Sequence, residues 1–267
     1  MKKIIAFVLA LTLALSLAAC GSSADDKTIK VGTAPGPHAE IMEAVADLLA
    51  AEGYTLEVVE FSDYVLPNTA LAEGEIDANY FQHITYMNGF NEEHGLKMVS
   101  AADIHYEPLG LYAGKTASVA ELAEGAQIAI PNDATNGARA LLLLQQEGII
   151  TLKEDAGIYA TKDDIVENPL NLEFYEANAE LLTSVLQDVD MAVINGNYAI
   201  DAGLKIADAL AAEAEDGMAA EAYVNVVTVM EGHENDPKIQ ALVKALTSDE
   251  ARAFMEDTYA GAVVPLF

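Results

Sequence analysis

The sequence predicts an α/β fold with mostly parallel strands, and three observations carry that expectation. Short apolar runs alternate with stretches whose apolar residues recur at helical spacing, the signature of repeated β and α units. Hydrophobic residues make up 52% of the 267-residue chain despite a net charge of −30, so a packed core is within reach. The chain has a single cysteine, Cys20, so no intrachain disulfide can form and burial alone must hold the fold.

Ile29 and Val31 mark the first strand. Ile41, Val45, Leu48 and Leu49 then fall on one helix face, which Gly53 closes. Residues 56–61 follow as the second strand. Ser118 and Glu121 have the spacing of a capping box before a short helix. A strand is expected at 127–130 and a helix over 139–146. Further strands are expected at 172–175, 191–194 and 223–230. Asp236-Pro237 opens a helix with Ile239, Leu242, Val243 and Leu246 on one face. The extended stretch 105–112, which contains Pro108, reads as a crossover between two lobes, with 223–226 as the return.

The N-terminus is a targeting segment, not part of the fold. Lys2 and Lys3 precede an uncharged run from Ile4 to Ala19, and small residues surround Cys20. That pattern predicts a secretory signal peptide over residues 1–19, the alternatives being a plain signal with an incidental cysteine or a short transmembrane anchor, for which the run is marginal in length. Leu17-Ala18-Ala19-Cys20 resembles the lipobox of bacterial lipoproteins, which implies cleavage before Cys20 and lipid on its thiol. Residues 20–27 then form a lipidated tether, and the domain lies at the cell membrane on its extracytoplasmic face. Loss of the leader removes two lysines and no acid, making the charge two units more negative. Such acidity excludes nucleic acid and anionic lipid as partners.

Catalytic signatures are missing from the sequence. It contains no G-x-S-x-G, H-E-x-x-H or P-loop motif, and its five histidines lack metal-pair spacing. The chain has only two arginines. Arg252 sits among acids on a C-terminal helix, whereas Arg139 follows a strand, a turn and the start of an apolar helix. Thr135 or Asn136 can cap that helix, and its N-terminus together with Arg139 in its first turn suits an anion. The spacing does not specify which anion. A capped helix whose arginine meets a surface acid is the plainer possibility. Residues 61–68, 77–86 and 192–199 place polar and aromatic side chains beside strand ends, where α/β sheets bind ligands. On residue type alone Tyr64, Phe81 and Tyr86 read as core before site, a lone His83 as an interior histidine before a ligand group, and Asn195 and Asn225 equally as turn or strand-end residues.

Together these segments resemble the methionine-binding lipoprotein family (MetQ/NlpA), the solute receptors of methionine ABC importers. The likeness rests on VEFSDYVLPN (59–68), DANYFQH (77–83), PNDATNGARALLLL (131–144), VENPLNL (166–172), AVINGNYA (192–199) and AYVNVV (222–227), in that order behind the lipobox. It implies a type II periplasmic-binding-protein fold, two α/β lobes joined by a two-stranded hinge. Lobe one would comprise 28–108 and 229–267, lobe two 109–228. It also implies a non-enzymatic, cofactor-free receptor that binds L-methionine between the lobes and delivers it to a membrane permease. Carried over residue by residue, Arg139 would hold the ligand carboxylate with help from Asn136. Asn195 and Asn225 would bond the amino-acid head, and Tyr64, Phe81, His83 and Tyr86 would line the side-chain pocket. D-methionine, methionine sulfoxide or a methionine-containing dipeptide are open alternatives as cargo. A surface adhesin reusing the fold, or an extracellular enzyme, would be a different class of protein.

Overall fold

The computed structural model describes residues 27–213 and 218–267. The expected leader and Cys20, the expected site of lipidation, lie outside the described residues. No helix among the described residues is long and apolar enough to cross a membrane.

The first sheet begins with β1 (Thr28–Thr33), where Ile29 and Val31 are fully buried. The expected single helix is two, α1 (Pro37–Ala44) and α2 (Ala46–Ala51), because the backbone departs from helical geometry at Val45. Ile41, Val45 and Leu49 still share one buried cluster. After β2 (Thr55–Glu60) come α3 (Leu66–Glu73), β3 (Ala78–His83), α4 (Ile84–His94) and the long β4 (Met98–Tyr106). Every residue of β3 is buried, because it is paired on both sides, parallel to β1 and antiparallel to a strand from the far end of the chain.

Glu107-Pro108-Leu109 carries the chain across to a second sheet of β5 (Gly110–Ala113), β6 (Gln127–Pro131), β9 (Glu173–Ala177), β10 (Met191–Ile194) and β11 (Ala211–Ala212). Helix α5 (Ala134–Gln146) covers it, and a small hairpin of β7 (Thr151–Leu152) and β8 (Ile165–Glu167) flanks it. Two short helices follow in this part of the chain, α6 (Leu182–Val185) and α7 (Gly196–Asp201). Val119–Glu121 is a single 3-10 turn in which Ser118 makes no side-chain cap. The chain returns through Glu213 and α8 (Met218–Ala222) into β12 (Asn225–Met230). Helices α9 (Pro237–Leu246) and α10 (Asp249–Tyr259) and strand β13 (Val264–Pro265) complete the first lobe.

The sheet orders are β13-β4-β12-β3-β1-β2 and β11-β5-β10-β6-β9. Both are mixed, not mostly parallel: β-α-β units pair in parallel, and the strands that enter or leave a lobe run back against them. The expected return to lobe one at residue 229 falls inside β12, which pairs within the six-stranded sheet along its whole length. Each sheet packs its own buried apolar clusters, and the chain passes between them twice.

Candidate functional site

The carboxyl ends of β3, β6 and β10 and the start of β12 converge between the lobes. Register explains how β12 contributes: Asn225 stands opposite His83 on one side and His105 on the other. A narrow cavity lies there, lined by Tyr64, Phe81, His83, Tyr86, Asn136, Arg139, Asn195 and Asn225. These are all eight of the ligand-contact residues expected from the sequence. Gln82, Glu107, Gly196 and Asn197 line it as well. Asn197 lay within a quoted motif and could have been chosen. Glu107 had no signal of its own in a chain with 43 acids.

Helix α5 begins earlier than its apolar pattern indicates. Its cap is Asp133, whose carboxylate accepts the N–H of Asn136 at 2.8 Å, and neither Thr135 nor Asn136 serves. Arg139 therefore sits in the second turn, and an acid already occupies the helix terminus. The anion-binding element is the guanidinium alone. Its Nε donates to Glu213 Oε1 at 2.7 Å and its Nη2 to Glu213 Oε2 and to the Glu107 carbonyl, which leaves Nη1 for a further acceptor. The Tyr223 ring covers one face, 4.4 Å away. Arg139 is 3% exposed. Burial is the largest single influence and opposes its charge, but Glu213 together with Tyr106 and Tyr223 outweighs it and raises its pKa, so it remains a cation.

The polar wall is ordered by its hydrogen bonds. His83 caps α4 by accepting the Tyr86 N–H at its Nδ1, so its proton is on Nε2 and is donated to Asn136 Oδ1 at 3.1 Å. Asn195 Nδ2 donates to the same oxygen. Asn136 gives its own N–H groups to Asp133, so its part is to orient His83 and Asn195. Asn225 accepts from His38 at 3.0 Å through Oδ1, leaving its Nδ2 hydrogens for another acceptor. Asn195 Oδ1 and Asn197 Nδ2 are buried and have no partner among the described residues. Such orphaned atoms cost roughly 1–3 kcal/mol each, so a ligand that satisfies both is favoured.

Glu107 supplies the opposite pole. Burial acts to raise its pKa, but His38, His105 and Arg139 outweigh burial and hold it below the usual range. Arg139 is already matched by Glu213, so among the cavity-lining residues Glu107 is a carboxylate without a cation of its own. Gly196 permits this placement, since a Cβ there would come within 2.8 Å of Glu107 Cβ.

Tyr64, Phe81 and Tyr86 form the apolar wall, with ring centroids 5.7–6.3 Å apart. Their polar tips are engaged: Tyr64 donates to Asn197 Oδ1 at 2.6 Å across the cleft and Tyr86 to the Tyr64 carbonyl. What they present to the cavity is ring surface.

Burial lowers His83 to about 3, with Arg139 adding to it, and lowers His38 to about 4. Both rings are neutral in the fold but titrate near 6.5 when unfolded. As pH falls below about 6.5 the unfolded chain takes up protons first, so stability falls, by up to about 1.4 kcal/mol per pH unit for each ring. His83→Asn keeps an N-cap acceptor but removes the titration. Urea unfolding at pH 7 and pH 5 is expected to show about 2 kcal/mol more loss in wild type than in the variant. Equal losses would exonerate His83.

The profile of the NlpA lipoprotein family matches residues 29–267. The D-methionine-binding lipoprotein MetQ of Salmonella typhimurium is 41% identical over 268 residues, covering 98% of this chain and 97% of its own. A crystal structure of a lipoprotein from Ruminococcus gnavus superposes with a TM-score of 0.89 at 55% identity, covering 90% of this chain and 100% of that one. A nutrient-binding protein from Burkholderia cenocepacia, solved bound to methionine, gives a TM-score of 0.85 at 42% identity, with coverage of 90% and 100%.

Proposed function

The chain belongs to the NlpA lipoprotein family, and on that premise we propose that it is a receptor which closes around methionine and hands it to an ABC importer. Its role is binding, not catalysis. We also place the lipid anchor on Cys20, so that the domain is tethered to the cell membrane on its extracytoplasmic side.

One observation carries the ligand assignment: a guanidinium nitrogen left open beside its Glu213 pairing and a carboxylate without a cation of its own face one cavity beside an aromatic wall. Arg139 Nη1 and the Asn225 amide are the donors for a carboxylate. Glu107 and the partnerless Asn195 Oδ1 are the acceptors for an ammonium group. A free amino acid is the zwitterion that satisfies both. The three rings suit a thioether, which gains from aromatic contact and needs no hydrogen-bond donor. The Tyr64 and Tyr86 hydroxyls are already engaged, so the donor beside the rings that a sulfoxide oxygen could reach is the partnerless Asn197 Nδ2.

Thermal unfolding of the soluble domain, first unfolded and refolded to strip bound ligand, tests the reading. L-methionine at about 100 times its Kd should add roughly 2.7 kcal/mol, a rise in Tm of about 5–10 °C. D-methionine and methionine sulfoxide run in parallel rank the cargo. No shift with any of them would reject the receptor assignment.

A further inference from the structure

Behind the amino-acid cleft, the two crossings of the chain bring together a second constellation. His38 and His105 are fully buried and Glu107 is 5% exposed. His105 Nε2 is 2.9 Å from Glu107 Oε1, and His38 Nε2 is 3.6 Å from the same oxygen. His38 Nε2 is also 3.0 Å from Asn225 Oδ1. The two imidazole nitrogens and the carboxylate oxygen all lie within 4.8 Å of one another. Four donors on one tetrahedral ion, each about 2.0–2.1 Å from it, stand about 3.3 Å apart; the contacts of 2.9, 3.0 and 3.6 Å bracket that spacing, and the two imidazole nitrogens lie within 4.8 Å of each other.

The geometry points to a binding site for a borderline divalent transition-metal ion such as zinc, held by His38, His105, Glu107 and Asn225. Two imidazoles, a carboxylate and an amide oxygen form an N₂O₂ set suited to such ions rather than to magnesium or calcium. The outer shell is in place on one side: Tyr80 Oη lies 2.5 Å from His105 Nδ1, the partner that fixes the orientation of a ligating histidine. A ring that ligates through Nε2 carries its proton on Nδ1: at His105 that N–H is donated to Tyr80 Oη, and at His38 it is placed on a buried nitrogen that has no partner among the described residues. The ion supplies the cation that Glu107 lacks, and the strongly acidic chain raises the local cation concentration. Glu107 and Asn225 also line the amino-acid cavity. On the receptor reading above, metal and amino acid therefore exclude one another and the ion enters when the cleft is open.

The test is calorimetric titration of zinc into the ligand-stripped soluble domain, with no amino acid present. Failure here therefore leaves the methionine assay untouched. One saturable site is expected, lost in His105→Ala and weakened about 10–100-fold in Tyr80→Phe, which removes only the outer-shell hydroxyl. Cobalt is expected to give the intense visible absorption of a four-coordinate centre. Calcium added at the same concentration should not displace the zinc. Loose binding of several ions that neither variant alters, or a pale six-coordinate cobalt spectrum, would overturn the site and assign zinc uptake to surface acids.

Discussion

Replacing Arg139 with alanine is expected to weaken methionine binding by roughly 3–5 kcal/mol, two to three and a half orders of magnitude, because the ligand carboxylate loses its only charged donor in the cavity. The same substitution carries a second cost that the sequence did not foreshadow. Glu213, whose two oxygens accept from Arg139, would stay buried with only the Tyr106 hydroxyl and the Leu109 N–H as donors among the described residues. An uncompensated buried charge destabilises the fold strongly. Arg139→Ala should therefore lower both affinity and unfolding free energy. The double variant Arg139→Ala/Glu213→Gln should regain most of the stability and none of the binding. Denaturation and calorimetric titration of the two variants separate these effects. Methionine affinity within threefold of wild type in the double variant would remove Arg139 from the site.

Glu107→Gln should behave in the opposite way, losing affinity without losing stability. The substitution removes a buried carboxylate that has no cation of its own, while the amide oxygen still accepts the His105 N–H. A charge-assisted hydrogen bond to the ligand ammonium is worth about 1.5–3 kcal/mol, so methionine should bind about 10–150-fold more weakly. The sharper readout compares methionine with its desamino analogue, which keeps the carboxylate and thioether. Wild type should favour methionine strongly, and Glu107→Gln should lose most of that preference. A preference that survives intact would place the ammonium elsewhere, leaving Asn195 as its only acceptor.

The alternation of apolar runs was enough to mark β1, β2, β6, β10 and β12 to within two residues, because a strand needs only a short local run of hydrophobic side chains. It was not enough for β3 and β4. Their residues mix polar and aromatic types, and they are strands because neighbours on both sides pair with them. The break at Val45 and the cap at Asp133 escaped for a related reason. Both depend on local backbone geometry that residue spacing does not encode.

The site divides along the same line. By itself the sequence determined a chemical inventory: a cysteine behind an uncharged apolar run, one arginine set apart from the other, three aromatic rings, and asparagines in ordered motifs whose joint likeness named a family. These are properties of residue type and order. Which acid serves which cation was decided only by the fold. Among 43 acidic residues, Glu213 and Glu107 are distinguished by nothing near them in the chain. They are distinguished by the two crossings between lobes, which bury one against Arg139 and the other beside His38 and His105. Burial magnifies each such pairing, because a charge removed from water interacts strongly with whatever faces it. What faces it is set by contacts 74 residues apart between Arg139 and Glu213, and no local pattern carries that information.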